Sequence, residues 1–137
     1  KLLKELDKDI KINLKCNSKK IIFNCDNEQL NRVFFNLIKN SIESIQEKAL
    51  NMGNFDKKIN IVIKRINYYI TINIFDNGLG FTNKIKKEII KPYYTTKKKG
   101  SGLGLSIVNK IINDHNGNIE FNSDSTGTNI IINLPIK

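Results

Sequence analysis

A chain of 137 residues with 39% apolar and 26% charged side chains is the size of one domain, and it buries about two-thirds of its unfolded surface in a single core. No run approaches the ~20 apolar residues of a membrane span and no signal-peptide pattern opens the chain, so membrane attachment is expected only through segments outside it. The formal net charge of +10 invites a nucleic-acid reading, but the lysines are scattered from Lys1 through Lys99 and no recognition helix gathers them, so nucleic acid is not the expected partner.

Lys1 to Lys8 (KLLKELDK) reads as the tail of a preceding helix or linker, which sets residues 1–9 apart from a domain over 10–137. Short strands are expected near Ile10 to Lys15 and Ile21 to Cys25, around a turn at Asn17 to Lys20. A hairpin would leave Cys16 and Cys25 roughly four residues out of register, or ~13 Å, too far for a disulfide. Both are expected as small, buried or half-buried apolar residues in a reducing cytoplasm.

The next segment is a well-specified helix, Asn27 to Ala49, with Asp26 as N-cap and Gln29 at the position that completes a capping box. At about 100° per residue, Leu30, Val33, Phe34, Leu37, Ser41 and Ile45 fall on one core-facing stripe, with Asn36, Asn40, Glu43 and Glu47 along its flank. Stacked amide and carboxylate oxygens suit a Mg²⁺ ion, and they equally suit a solvated helix side. Strands near Lys58 to Arg65 and Tyr69 to Phe75 follow, the second ending at Asp76 to Gly80 (DNGLG). That places a carboxylate and two glycines at the mouth of a buried strand; alone, the same residues make a tight turn.

A short helix is expected near Asn83 to Ile90 and a longer one over Leu103 to Asn116. The approach to the longer helix, Lys97 to Asn109 (KKKGSGLGLSIVN), puts Gly102 and Gly104 where a basic loop enters an apolar helix. There, unpaired N–H groups and the positive dipole end favour an anion such as phosphate. His115, the one histidine, lies at that helix's end as a surface cap-region residue, with Gly117 placed as the left-handed cap. Strands near Ile119 to Asn122 and Thr128 to Leu134 close the chain. Strands and helices do not alternate in a βαβ rhythm, so the pattern is a two-layer sandwich and not a doubly wound fold.

In this order and spacing the elements resemble the ATP-binding catalytic domain of sensor histidine kinases, within the wider family that includes gyrase, Hsp90 and MutL. NLIKNSIES (residues 36–44) is similar to the N box, DNGLG to the first glycine box, PYYTTKKK (92–99) to the lid motif, GSGLGL (100–105) to the second glycine box, and Gly127-Thr128 to the final glycine-threonine element. The resemblance runs from about Lys11 to Lys137, and TTKKKGSGLGLSIV is most similar to the nitrogen-regulation type. It implies an α+β, two-layer α/β sandwich of Bergerat type, a mixed sheet covered on one face by about three helices.

The resemblance also implies roles. Asn40 would ligate Mg²⁺ on the triphosphate of ATP, with Asn36 orienting phosphate or water. Asp76 would accept from the adenine amine, Thr128 would support it through a water, and Gly78 and Gly80 would leave room for the base. Thr95, Thr96 and Lys97 would belong to a lid spanning Phe81 to Gly102, while Gly100, Gly102, Leu103, Gly104 and Leu105 would present backbone N–H groups to phosphate. Tyr93 and Tyr94 stand where many relatives carry a large aromatic, and Ser44 where some place one against adenine. Glu43 would bind a water on Mg²⁺ or pair with a lysine.

One position separates the branches. The ATPases and the protein-serine kinases carry a Glu as general base where this chain has Asn36, and an amide cannot take a proton from water or serine at neutral pH. A neutral imidazole needs less help as a nucleophile, so the resemblance points to histidine kinase. His115 lacks the phosphoacceptor context, and the acceptor helices are absent from the sequence. The implied partners are therefore a separate phosphoacceptor and dimerisation domain and a response regulator, with the piece itself monomeric and cytoplasmic. An inner-membrane location would come only through other regions of a longer protein.

Overall fold

The computed structural model describes residues 9–17, 25–80, 104–124 and 126–136. Within them lie β1 (Lys11–Cys16), α1 (Asn27–Met52), β2 (Lys58–Ile66), β3 (Tyr69–Asp76), α2 (Gly104–Asp114), β4 (Asn118–Asp124) and β5 (Gly127–Pro135). The strands form one sheet in the order β1-β2-β3-β5-β4, with β1 parallel to β2 and every other pair antiparallel. The expected mixed sheet with helices on one face is therefore present. Two helices lie among the described residues; the short helix expected near 83–90 and the strand positions 21–24 lie outside them.

Alternation builds the two faces. In register across the sheet, Ile61, Ile74, Ile130 and Phe121 form one rung and Ile63, Ile72, Ile132 and Ile119 the next, so an apolar side chain, isoleucine at all of these positions but Phe121, recurs at alternate positions along these strands. This face packs under Leu30, Val33, Leu37, Ile42 and Ile45 of α1 and Val108, Ile111 and Ile112 of α2. Ile42 was not on the expected stripe. Because α1 touches both α2 and the sheet, it needs a wider apolar arc than one flat contact demands.

The opposite face explains the asparagines. Asn13 donates to Asn60 Oδ1 at 3.2 Å, Thr71 Oγ1 to Asn133 Oδ1 at 2.9 Å, and Asn133 Nδ2 to Asn118 Oδ1 at 3.0 Å, each across neighbouring strands. Side-chain amides carry both donors and acceptors, so they pair along a solvated sheet face without charge.

Four details differ from expectation. α1 runs to Met52, beyond Ala49, and ends on Gly53 (φ +78), whose N–H donates to Ala49 O. The left-handed residue after α2 is Asn116 (φ +61), not Gly117; Gly117 N donates to Ile112 O and Asn116 N to Asn113 O, a Schellman closure. Gly117 is glycine for another reason, since a Cβ there would lie 2.4 Å from Asn133 O. Cys16 is exposed, not buried, because β1 pairs only with β2 among the described strands and its outer residues escape the helices; Cys25 is half-buried against the core.

The start of α1 is capped from two directions. Asp26 Oδ1 accepts from Gln29 N at 3.1 Å, as the capping signal implies. The N–H of Asp26, which a full capping box gives to residue 29, instead donates to His115 Nε2 at 3.1 Å, while His115 Nδ1 lies 2.8 Å from Ile111 O. Those two bonds together require the neutral imidazole with its proton on Nδ1. His115 thus ties the end of α2 to the start of α1. Asp26→Ala is expected to lower unfolding stability by about 1 kcal/mol. Urea denaturation checks this, and an unchanged midpoint would remove the cap from the account.

Candidate functional site

At the last rung of the buried face the isoleucines give way to polar groups. Ile59, Asp76, Thr128 and Ser123 lie in register across β2, β3, β5 and β4, with Asp76 3% and Thr128 6% exposed. Above this rung α1 presents Ser41, 2% exposed, a position that reads as core by periodicity but carries a hydroxyl. Ser41 Oγ faces the Asp76 carboxyl without closing a hydrogen bond of normal geometry. Thr128 Oγ1 lies 3.3 Å from Ser123 Oγ, which donates to Gly127 O at 3.1 Å.

The carboxyl at the centre is poorly solvated. Burial pushes the Asp76 pKa from 3.8 up to about 6, against the opposing pull of the Gly78 N–H at 2.9 Å, the Ser41 hydroxyl and the Lys48 charge. A carboxylate held in this way is a strong, directional acceptor.

The loop after Asp76 is clamped from three sides. From α1, Ser44 Oγ accepts from Leu79 N at 3.1 Å and Lys48 Nζ donates to Asn77 O at 3.1 Å. From the entry to β2, Lys58 N donates to Asn77 Oδ1 at 2.9 Å, and Asn77 Nδ2 donates to Asp56 O. From the β4–β5 end, the carbonyl of Asp124 closes on Gly80. The two glycines are required by these contacts. A Cβ on Gly78 would lie 2.3 Å from Ser44 Oγ, and one on Gly80, at φ +73, 2.2 Å from Asp124 O. What their missing side chains make room for is therefore protein.

The other end of the site is carried by the same helix. Asn36 and Asn40 lie one turn apart on α1, both half-buried. The Asn36 carboxamide carbon is 3.9 Å from where a Cβ on Gly104 would be, which puts this amide beside the first turn of α2. Gly104 and Leu105 open that helix, and Leu105 packs against the core. Glu43 stands 4.0 Å from Lys39 as a surface pair, the second of its two expected uses. Thr95, Thr96, Lys97, Gly100, Gly102 and Leu103, with the tyrosines of the lid motif, lie outside the described residues.

Of the expected site residues, Asp76 and Thr128 come together on one rung and Asn36 lies beside Gly104; Ser41, Lys48 and Asn77, which the sequence did not single out as groups of this site, line or secure the Asp76 loop together with Ser44. A signal was present. Ser41, Ser44 and Lys48 follow i, i+3, i+7 spacing along α1, a small and polar stripe inside an apolar helix.

The family profile described as histidine kinase-, DNA gyrase B-, and HSP90-like ATPase matches residues 25–137. The chain belongs to this family. Sporulation kinase B of Bacillus subtilis is 40% identical over 112 residues, 80% of this chain and 24% of that protein. Nitrogen regulation protein NtrY of Azorhizobium caulinodans is 33% identical over 112 residues, 82% of this chain and 14% of its own length. This ATPase-family chain thus spans a quarter or less of both relatives. Among solved structures, the nucleotide-free catalytic domain of histidine kinase ThkA superposes with a TM-score of 0.81 at 25% identity, covering 98% of this chain and 88% of that one. The fold is that of a histidine kinase catalytic domain. No described helix is long and apolar enough to cross a membrane.

Because the folded-state pKa of Asp76 is raised, the folded protein binds this proton more tightly than the unfolded chain. The resulting stability is fully present below pH 3.8 and is lost as pH rises through about 6. Relative to Asp76→Asn, the parent is expected to lose roughly 3 kcal/mol across that window. Urea unfolding of both proteins from pH 4 to 7 tests it; a difference that stays constant with pH would contradict the burial of an ionisable group.

Proposed function

We propose that the domain binds Mg-ATP and donates its γ-phosphoryl group to a histidine on a separate phosphoacceptor and dimerisation domain of a two-component sensor kinase. The observation that carries this reading is the buried Asp76 carboxyl on the Thr128 rung, joined through α1 to the Asn36 amide beside the start of α2. From Asn36 to Ser44 the helix rises about 12 Å, so one rigid element would reach both base and phosphates of a nucleotide.

In this reading Asp76 accepts a hydrogen bond from the adenine amine, with Thr128 supporting it through a water. Guanine, with an acceptor at that edge, would leave the carboxylate unpaired and is disfavoured. The N–H groups at Gly104 and Leu105, together with those of Gly100, Gly102 and Leu103, receive phosphate, and Thr95, Thr96 and Lys97 cover it. The donor set fits Mg²⁺: the amide oxygen of Asn40 is hard and neutral, Mg²⁺ takes its remaining ligands from phosphate and water, and Asn36 one turn earlier orients phosphate or water. Among the described residues no three His, Cys, Asp or Glu side chains form a cage of their own. Bound there, the ion would neutralise charge on the transferring phosphoryl group.

Asn36 favours histidine as acceptor. Lacking a carboxylate at that position, the chain has no base there to activate water or serine, whereas imidazole attacks in its neutral form. ThkA has been solved in complex with the response regulator TrrA, which supports a response regulator as downstream partner of this kinase too. The domain itself is assigned to the cytoplasm, where ATP is available, and to a monomeric state, with dimerisation and any inner-membrane anchor supplied by other regions.

Asp76→Asn is expected to weaken ATP binding ten- to a hundredfold, about 1.5 to 3 kcal/mol. Calorimetry giving equal affinity would remove Asp76 from the base site. Asn40→Ala should abolish the Mg²⁺ dependence of ATP binding while sparing part of the adenosine affinity, and an unchanged Mg²⁺ response would refute that assignment. Mixed with a purified acceptor domain, the chain should yield an acid-labile, alkali-stable phosphoprotein; phosphoserine would favour the protein-serine kinase branch instead.

A further inference from the structure

Lys48 is held in a way that surface lysines are not. It follows Ser44 by one helical turn and Ser41 by two, so it continues along α1 the stripe that faces the Asp76 loop. Its ammonium is part-buried, donates to the Asn77 carbonyl at 3.1 Å and stands 4.7 Å from the centroid of the Phe55 ring. Aromatic face and peptide carbonyl together fix a charge that would otherwise roam through solvent. Asn77 is the residue between Asp76 and Gly78, and its side chain is already committed to Lys58 and Asp56. The lysine therefore grips the middle of the turn that supplies both the carboxyl and its N–H partner.

The groups facing Asp76 are few. α1 contributes the Ser41 hydroxyl and the Lys48 charge, the turn contributes Gly78 N–H, β5 contributes Thr128 with Ser123 of β4 beyond it, and β2 contributes the apolar Ile59. Among the described residues, Lys48 supplies the charge that acts on the carboxyl.

We propose that Lys48 is a positioning residue for nucleotide binding: by holding the Asn77 carbonyl it pins the turn from Asp76 to Gly78 to α1 and fixes where the Asp76 carboxyl presents its acceptor oxygens. The inference rests on the reading of Asp76 as acceptor for the adenine amine. The lysine charge also favours the ionised carboxyl, and a protonated carboxyl has lost that acceptor strength, so removal of the lysine weakens ATP binding progressively as pH falls through the range where Asp76 titrates, and least at high pH.

The test compares the parent chain with Lys48→Met, which keeps the aliphatic packing on Phe55, and Lys48→Arg, which keeps the charge. NMR of the Asp76 carboxyl carbon in the ligand-free proteins should give a higher titration midpoint in Lys48→Met and a restored one in Lys48→Arg. Calorimetric Mg-ATP affinity should fall roughly three- to tenfold in Lys48→Met at pH 6, with the gap narrowing toward pH 8 and closing in Lys48→Arg. Equal NMR midpoints in parent and Lys48→Met overturn the inference. So does an affinity ratio that is the same at every pH, which is the mark of a merely structural contact. A raised midpoint in Lys48→Met together with a parent that binds no ATP overturns the proposed function and leaves the coupling of Lys48 to Asp76 standing.

Discussion

The structure around the site is organised by one unfavourable act, the burial of the Asp76 carboxyl at the end of an isoleucine-lined sheet face. Left in an apolar slot without partners, a carboxylate protonates or drags the local fold apart. Here it is neither fully neutralised nor fully paired. A backbone N–H, a nearby hydroxyl and a fixed ammonium oppose burial, and the balance leaves the group titrating at about pH 6. The clamping of the following loop by Ser44, Lys48, Lys58 and Asp124 then follows as a requirement, since a carboxyl at that depth discriminates between ligands only if its position is fixed.

Helix α1 is the element that makes the site one object. Its apolar arc binds the sheet and α2, its Ser41–Ser44–Lys48 stripe secures the carboxyl and its loop, and Asn36 on its flank lies beside the opening of α2. The same helix is anchored at its start by His115, a residue 89 positions away in sequence. Movement of α2 would thus be felt at the start of α1 and again beside Asn36.

Much of this was legible beforehand because it is local. Isoleucine at every second position of β3 and β5 states which face is buried, and the Asp26–Gln29 spacing states where α1 begins. What was not legible depends on approach between distant segments. Gly78 and Gly117 are glycine because Ser44 and the Asn133 carbonyl come close, and only assembled structure reveals those neighbours. The same holds for Lys48, which in sequence is one of many lysines, and for Cys16, whose exposure follows from the edge position of β1 among the described strands. Asparagine misled in a different way: Asn13, Asn60, Asn118 and Asn133 serve cross-strand contacts on the open face, so composition alone could not distinguish such residues from Asn36 and Asn40.

The central claim is that a buried acceptor at Asp76 reads a purine by its exocyclic amine. Competition between ATP and inosine triphosphate, which differs by presenting a carbonyl where adenine has that amine, addresses it directly. Calorimetry at pH 7.5 should give an affinity for ATP at least about tenfold above that for the inosine nucleotide. Equal affinities would mean that the carboxyl does not touch the base, and the account of this site would fail with it.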